Sequence, residues 1–142
     1  MSTLHAAMSA SASALSAERA RIEVAVSNMA NAESKRGANG QPYRRRDVVL
    51  ASDPVETFDD VMGRAGAVGV KVADIVEDQA PFARRYDPSH PDADAEGLVS
   101  MPNVDVPEQM VDMLAATRAY QANLTAIGLI EDLISRAMDL GK

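Results

Sequence analysis

A chain of 142 residues with 14 Lys and Arg against 21 Asp and Glu, a formal charge of −7, has the length of one domain. Hydrophobic residues make up 46% of it but aromatics only 4%, so any core is built from Ala, Val, Leu, Ile and Met, which argues against a deep aromatic-lined substrate pocket. The absence of Cys excludes disulfide frameworks, thiolate chemistry and Cys-based zinc sites, and two His are all that remain for imidazole chemistry.

In the first segment, Met8, Ala12, Leu15, Arg19, Ile22, Val26 and Met29 alternate at spacings of four and three, which lays one side of a helix against a partner helix. The opening MSTLHAAMSASASALSAERA has neither a basic leader nor a strongly apolar stretch, so it does not read as a cleavable secretory signal, and any export takes another route. His5 lies alone there, with no base or nucleophile to pair with. The turn formers of ESKRGANGQP (33–42) predict that the helix stops near Asn31.

Between residues 44 and 78, RRRDVVLAS (44–52) and VGVKVADIVED (68–78) show the Val/Ile enrichment and partial alternation of short strands, with residues 53–66 compatible with a short helix. Charge is unevenly placed along the chain: residues 1–50 carry a net +3, residues 51–109 carry −9 and the remainder −1, so the middle is a distinct acidic segment. Arg44, Arg45 and Arg46, with Lys35 and Arg36 nearby, form the one basic cluster. An acidic chain is a poor nucleic-acid binder, so the cluster is expected to contact the acidic segment of a neighbouring molecule. Residues 79–105, with Pro81, Pro88, Pro91 and Pro102 and no sustained period, read as an extended connector of the kind that serves binding or linking.

That connector contains the one candidate metal site, YDPSHPDADAEG, with Asp87, His90, Asp92, Asp94 and Glu96 close together. Read as a calcium loop from Asp92, it has acids at the first, third and fifth positions and Gly97 at the sixth. Its twelfth position, however, is Asn103 in place of the bidentate Glu, and no helix precedes it. Solvated acids in a proline-stiffened loop are the simpler reading; a calcium-dependent binding module using residues 87–97 is the alternative function. GANG and GRAG lack the Lys and the strand–helix setting of a phosphate loop. With no nucleophile, base or cofactor motif to assemble, no enzyme and no cofactor are expected.

The last segment carries the stronger pattern. Val106, Met110, Met113, Thr117, Tyr120, Leu124, Ile127, Glu131, Ile134 and Met138 repeat at fours and threes, with Leu114, Ile130 and Leu133 widening the stripe. Asp105 is placed to cap this helix, Glu108 to complete a capping box, Pro107 fits the first turn and Gly141 the end. The stripe is wider than a two-helix seam, which leaves apolar surface for other chains to cover. No apolar run approaches the roughly 20 residues of a membrane span.

Particular motifs make the reading specific. VSNMANAES (26–34), with Asn28 and Asn31 in an N-x-A-N arrangement, GQPYRRRDVVL (40–50), YDPSHPDADAEGLVSMPNVD (86–105) and EQMVDMLAATRAYQANLTAI (108–127) together resemble the flagellar rod and hook axial proteins. The chain is most similar to a component of the proximal rod, and the likeness is weakest over residues 51–66. Retained family positions include Asn28, Ala30, Asn31, Pro42, Tyr43, Tyr86, His90, Pro91, Asn103, Arg118, Tyr120 and Asn123. Leu98, Ser34 and Gln109 depart from the family's usual Tyr, Thr and Glu.

The resemblance implies a mainly α fold with a small β part. Residues 1–34 and 106–142 would pair as a coiled-coil inner domain, and residues 35–105 would form a β-containing middle with an extended loop. It also implies a structural subunit that assembles helically around the export channel and transmits torque. Its partners would be copies of itself, the rod proteins FlgB, FlgF and FlgG, FliE and the MS ring. It would sit in the basal-body rod across the periplasmic space, delivered by the flagellar type III export apparatus without signal cleavage, with no nucleic acid bound and no insertion into the membrane. The expected assembly interface comprises Asn28, Asn31, Pro42, Tyr43, Arg44, Tyr86, His90, Pro91, Asn103, Met110, Met113, Arg118, Tyr120, Asn123 and Ile127.

Overall fold

The computed structural model describes residues 2–37, 40–54 and 68–139. Helix α1 spans Ser2–Ala30, strand β1 Arg46–Pro54, β2 Val68–Glu77, β3 Ala83–Tyr86 and β4 Leu98–Met101, and helix α2 spans Val106–Asp139. The fold is thus two long helices with two small antiparallel sheets, β1–β2 and β3–β4. Residues 55–66 of the expected short helix and the Gly141 stop lie outside the described residues.

α1 ends where the turn formers begin, its last turn closed by Asn31 Nδ2 donating to the Ser27 carbonyl at 2.8 Å. α2 begins at the expected cap: the Glu108 amide donates to Asp105 Oδ1 at 3.4 Å and the Gln109 amide to the Asp105 carbonyl at 3.1 Å. The capping box is only half made, because the Glu108 carboxylate turns to Arg45 Nη1 at 3.2 Å, a charged partner that outcompetes a backbone N–H.

The two helices pack on each other, and α1 also carries both strands of the β1–β2 ribbon. The contact keeps only part of the expected stripes: Met8, Leu15, Ile22 and Met29 of the α1 stripe are half-buried. On α2 the inward positions are Val106, Gln109, Met113, Ala116, Tyr120, Asn123, Ile127, Ile130 and Ile134. Every second position of the predicted stripe is therefore displaced by one residue. Met110 is 54% and Leu124 55% exposed, whereas Gln109 is 2% exposed and Ala116 fully buried. On α1 the buried residues are Ala6, Ala17, Ala25 and Asn28, while Val26, Arg19 and Ala12 of the stripe are exposed. Small side chains at the contact let the helix backbones approach, and the buried Asn28–Gln109 pair fixes their rotation.

Strand β1 pairs with β2 from Arg46↔Glu77 to Pro54↔Val68, with a bulge where Val49↔Asp74 gives way to Leu50↔Val72 and Ala73 is left over. An isolated two-stranded ribbon is marginal in water, and this one is anchored to α1 through Ser13. The Val70 amide donates to Ser13 Oγ at 3.0 Å, and the hydroxyl donates onward to the Ala10 carbonyl at 2.7 Å. Gly69 permits that approach: a Cβ there would lie 2.7 Å from Ser13 Oγ and 3.2 Å from the Asp53 carbonyl. Gly69→Ala is expected to cost about 1–3 kcal/mol by overpacking. In a double-mutant cycle read by urea unfolding, adding Ser13→Ala should relieve part of that loss; strictly additive effects would show that the two residues do not meet.

The proline-rich segment is not a featureless connector. It folds into the hairpin β3–β4, paired from Ala83↔Met101 to Tyr86↔Leu98. ARRY and LVSM are too short for alternation to stand out in sequence. Val99 is nevertheless among the most deeply buried side chains described.

Candidate assembly interface

Two polar centres hold the helices, ribbon and hairpin in one arrangement. The first is Asn28, fully buried near the end of α1. Its Nδ2 donates to the Arg46 carbonyl at 2.8 Å and to Gln109 Oε1 at 2.7 Å. Its Oδ1 accepts from the Tyr43 hydroxyl at 2.9 Å and from the Arg46 amide at 3.0 Å. The amide thereby uses both donors and both acceptor positions, which a buried Asn requires, and joins α1, the chain leading into β1, and α2.

The second centre is Arg45, whose side chain is 22% exposed. Nη2 contacts Asp47 Oδ2 and Asp78 Oδ2, and Nη1 contacts Glu108 Oε1, each at 3.2 Å. Burial pushes the guanidinium's proton affinity down, but Asp47, Glu108 and Asp78 outweigh it and hold its pKa above the ordinary value. Asn103 completes the centre. Its Oδ1 accepts from the Arg45 amide at 2.9 Å and its Nδ2 donates to the Asp78 and Ala80 carbonyls at 3.3 and 3.4 Å.

The arginine cluster, expected to reach a neighbour's acidic segment, thus finds much of its acidic complement within its own chain. Arg46 pairs with Glu77 at 3.4 Å across the ribbon. Arg44 Nη1 donates to the Asp78 and Ala80 carbonyls, and its guanidinium lies 4.3 Å from the centre of the Phe82 ring. Residues 74–78 are brought beside the cluster by the β1–β2 register, which composition cannot reveal.

In the 87–97 loop the acids close their own turns. Asp94 Oδ1 accepts from the Glu96 and Leu98 amides, both at 2.9 Å, while the Asp87 amide donates to the Gly97 carbonyl. Gly97 has φ +76°, and a Cβ would sit 3.0 Å from the Tyr86 ring. His90 Nδ1 accepts from the Asp92 amide at 3.1 Å, and Lys35 Nζ lies 3.1 Å from Nε2, tying the loop to the exit of α1. Among the described residues no three His, Asp or Glu side chains are placed to hold a metal ion together.

Ser89 Oγ donates to Asp87 Oδ1 at 2.8 Å and holds that carboxyl below its ordinary value of 3.8. A depressed native pKa stabilises the loop fully above the ordinary carboxylate range and loses that effect as pH falls through the lower native value. Ser89→Ala is expected to move the Asp87 midpoint upward in a carboxyl NMR titration; an unmoved midpoint would assign the shift elsewhere.

Several predicted interface residues are therefore held inside the chain: Asn28, Tyr43, Arg44, His90 and Asn103 as above, Asn31 at the end of α1, and Asn123 through its bond to the Ala119 carbonyl at 2.9 Å. Met113, Tyr120 and Ile127 are half-buried on the inward side of α2, and Pro42 is half-buried. Tyr86, 70% exposed, together with Pro91, Met110 and Arg118, faces outward. Sequence reasoning did not single out Ser13, Gly69 or Gln109 as structural, and it named Arg45 only as one member of the basic cluster. Gln109 carried a signal, as a departure from the usual residue beside Met110.

Beyond the two centres, α2 presents Met110, Val111, Leu114, Leu124, Leu129, Leu133 and Met138 to solvent, and the ribbon presents Val49, Leu50, Val68, Val72, Ile75 and Val76. Among the described residues no helix is long and apolar enough to cross a membrane.

Comparison with known proteins identifies the family of the chain. Residues 95–140 match a family described as flagellar basal body rod FlgEFG protein C-terminal. The chain is 44% identical to the flagellar basal-body rod protein FlgC of Escherichia coli O6:H1 over 92% of both chains, and 42% identical to that of Bacillus subtilis strain 168 over the full length of both. The FlgC protein of Agrobacterium fabrum is 38% identical over 100% of this chain and 98% of its own.

Proposed function

The chain belongs to the flagellar basal-body rod protein FlgC family, and on that premise we propose how its parts divide the work of a structural subunit of the rod. The terminal segments, residues 1–34 and 106–142, form a coiled-coil inner domain around the export channel. Residues 35–105 face outward and contact adjoining subunits of the proximal rod. The neighbours in this reading are further copies of the chain, FlgB, FlgF, FlgG, FliE and the MS ring, and the assembled rod transmits torque as a scaffold without catalysis. Delivery is through the flagellar type III export apparatus, without signal cleavage, to the part of the rod that crosses the periplasmic space.

The observation that carries this reading is the uncovered apolar side of α2. Met110, Leu114, Leu124, Leu129 and Leu133 are each about half exposed or more, on a helix whose opposite side already packs on α1. Exposed apolar surface of this extent marks an interaction site. The predicted interface residues act in two ways: Tyr86, Pro91, Met110 and Arg118 by direct contact, and Asn28, Tyr43 and Asn103 by holding the presenting elements in place.

The test is mass spectrometry of basal bodies isolated from the source organism. The unprocessed chain is expected in stoichiometric amount with the rod and the MS ring, and its consistent absence from intact basal bodies would overturn the reading. Leu124→Asp, on the exposed side, should leave the isolated chain folded and abolish its incorporation.

A further inference from the structure

We propose that a basic pocket beside the exit of α1 is a socket for an acidic side chain, Glu96, from the 87–97 loop of a second copy; this rests on the rod reading above. The pocket has a volume of about 460 Å³ and is lined by Arg36, Arg44 and Arg46, with Glu77 as the one acid among the described residues that line it. Tyr43 and Asn31 contribute neutral polar groups to the wall. Of its three guanidinium groups, Arg46 is answered by Glu77 and Arg36 by Asp92, which leaves Arg44 as the uncompensated positive charge in the concavity.

The structure separates the arginines that are occupied from those that are available. Arg45 is enclosed by three carboxylates and does not line the pocket. Arg46 already answers Glu77. Arg44 is held from behind by the Asp78 and Ala80 carbonyls and by the Phe82 ring, and among the described residues no carboxylate lies within ion-pair distance of it. A planar, pre-positioned guanidinium in a concave site is suited to forked recognition of a carboxylate. Arg36, 73% exposed, reaches Asp92 at 3.3 Å and stands at the rim.

The occupant follows from charge and exposure. Copies of an acidic chain repel one another unless opposite charges meet, and the acidic excess lies in residues 51–109. Within the 87–97 loop, Asp87 and Asp94 are engaged in their own turns and Asp92 contacts Arg36. Glu96 is exposed, and among the described residues its carboxylate has no ion-pair partner. The loop is also stiffened by its turns, so presenting Glu96 costs little ordering.

Charge reversal in the full chain, expressed as the sole copy in the native host, tests this. Arg44→Glu and Glu96→Arg are each expected to lower incorporation into basal bodies at least tenfold, and the two together are expected to restore most of it. Arg36→Glu, at an exposed position, repeats the test should Arg44→Glu fail to fold. Single variants that assemble like the wild type, or paired reversals without rescue, would overturn the socket. Absence of the wild-type chain from basal bodies would instead overturn the rod reading, so the two failures are distinguishable.

Discussion

Asn28→Leu is expected to lower the stability of the isolated chain by about 3–5 kcal/mol, more than any other substitution at the two polar centres. Leu is close to Asn in volume, so the loss comes from polarity. The Arg46 amide and carbonyl, the Tyr43 hydroxyl and Gln109 Oε1 would all lose their partner at once. Leaving a buried group unsatisfied costs about 1–3 kcal/mol each, and relaxation and water recover part of the sum. Thermal unfolding followed by circular dichroism at 222 nm should show the midpoint falling by roughly 10 °C or more. A Leu variant within 1 kcal/mol of the wild type would mean that Asn28 does not set the packing of the helices. Because this centre orients α2, the same variant is expected to fail in rod assembly even where some chain is exported.

Arg45→Met should cost about 2–3 kcal/mol. Removing one partner from a fully buried ion pair costs about 3–5 kcal/mol, and the 22% exposure of Arg45 allows solvent to screen part of that. Met retains much of the aliphatic stem, so the loss reports on charge: Asp47, Asp78 and Glu108, drawn from β1, the end of β2 and α2, would face one another without a cation. Urea unfolding at low and high NaCl checks the origin of the effect. The gap between wild type and variant should narrow with salt, since repulsion among the three acids is screened. Arg45→Lys should recover only part of the loss, because one ammonium cannot present two separate faces to three carboxylates. An Arg45→Met variant within 0.5 kcal/mol of the wild type would show that the centre is a surface ion pair without structural weight.

The two helices, their ends and the two longer strands follow from local chemistry. Asp105 before a long apolar period starts α2, the turn formers after Asn31 stop α1, and the Val/Ile-rich runs become β1 and β2. The N-x-A-N, HPDAD and RAYQAN motifs point to the axial family without any coordinates. The rotation of the helices does not follow from local chemistry. A stripe reports which side chains are apolar, and α2 carries more apolar surface than one partner covers, so the pattern admits more than one seam. The choice of Gln109 over Met110 for the interior is made by Asn28, a residue 81 positions away in sequence.

The partners of the arginines were hidden for the same reason. Arg45 meets Asp78 and Glu108 only because the β1–β2 register and the start of α2 bring them together, and that same register separates the enclosed Arg45 from the available Arg44. The sequence by itself determined the two helices, the two longer strands and the family, because helix caps, turn residues and hydrophobic period act over a few residues. Tertiary structure alone decided which faces are hidden and which charges are free, because these depend on satisfying buried polar groups across distant segments.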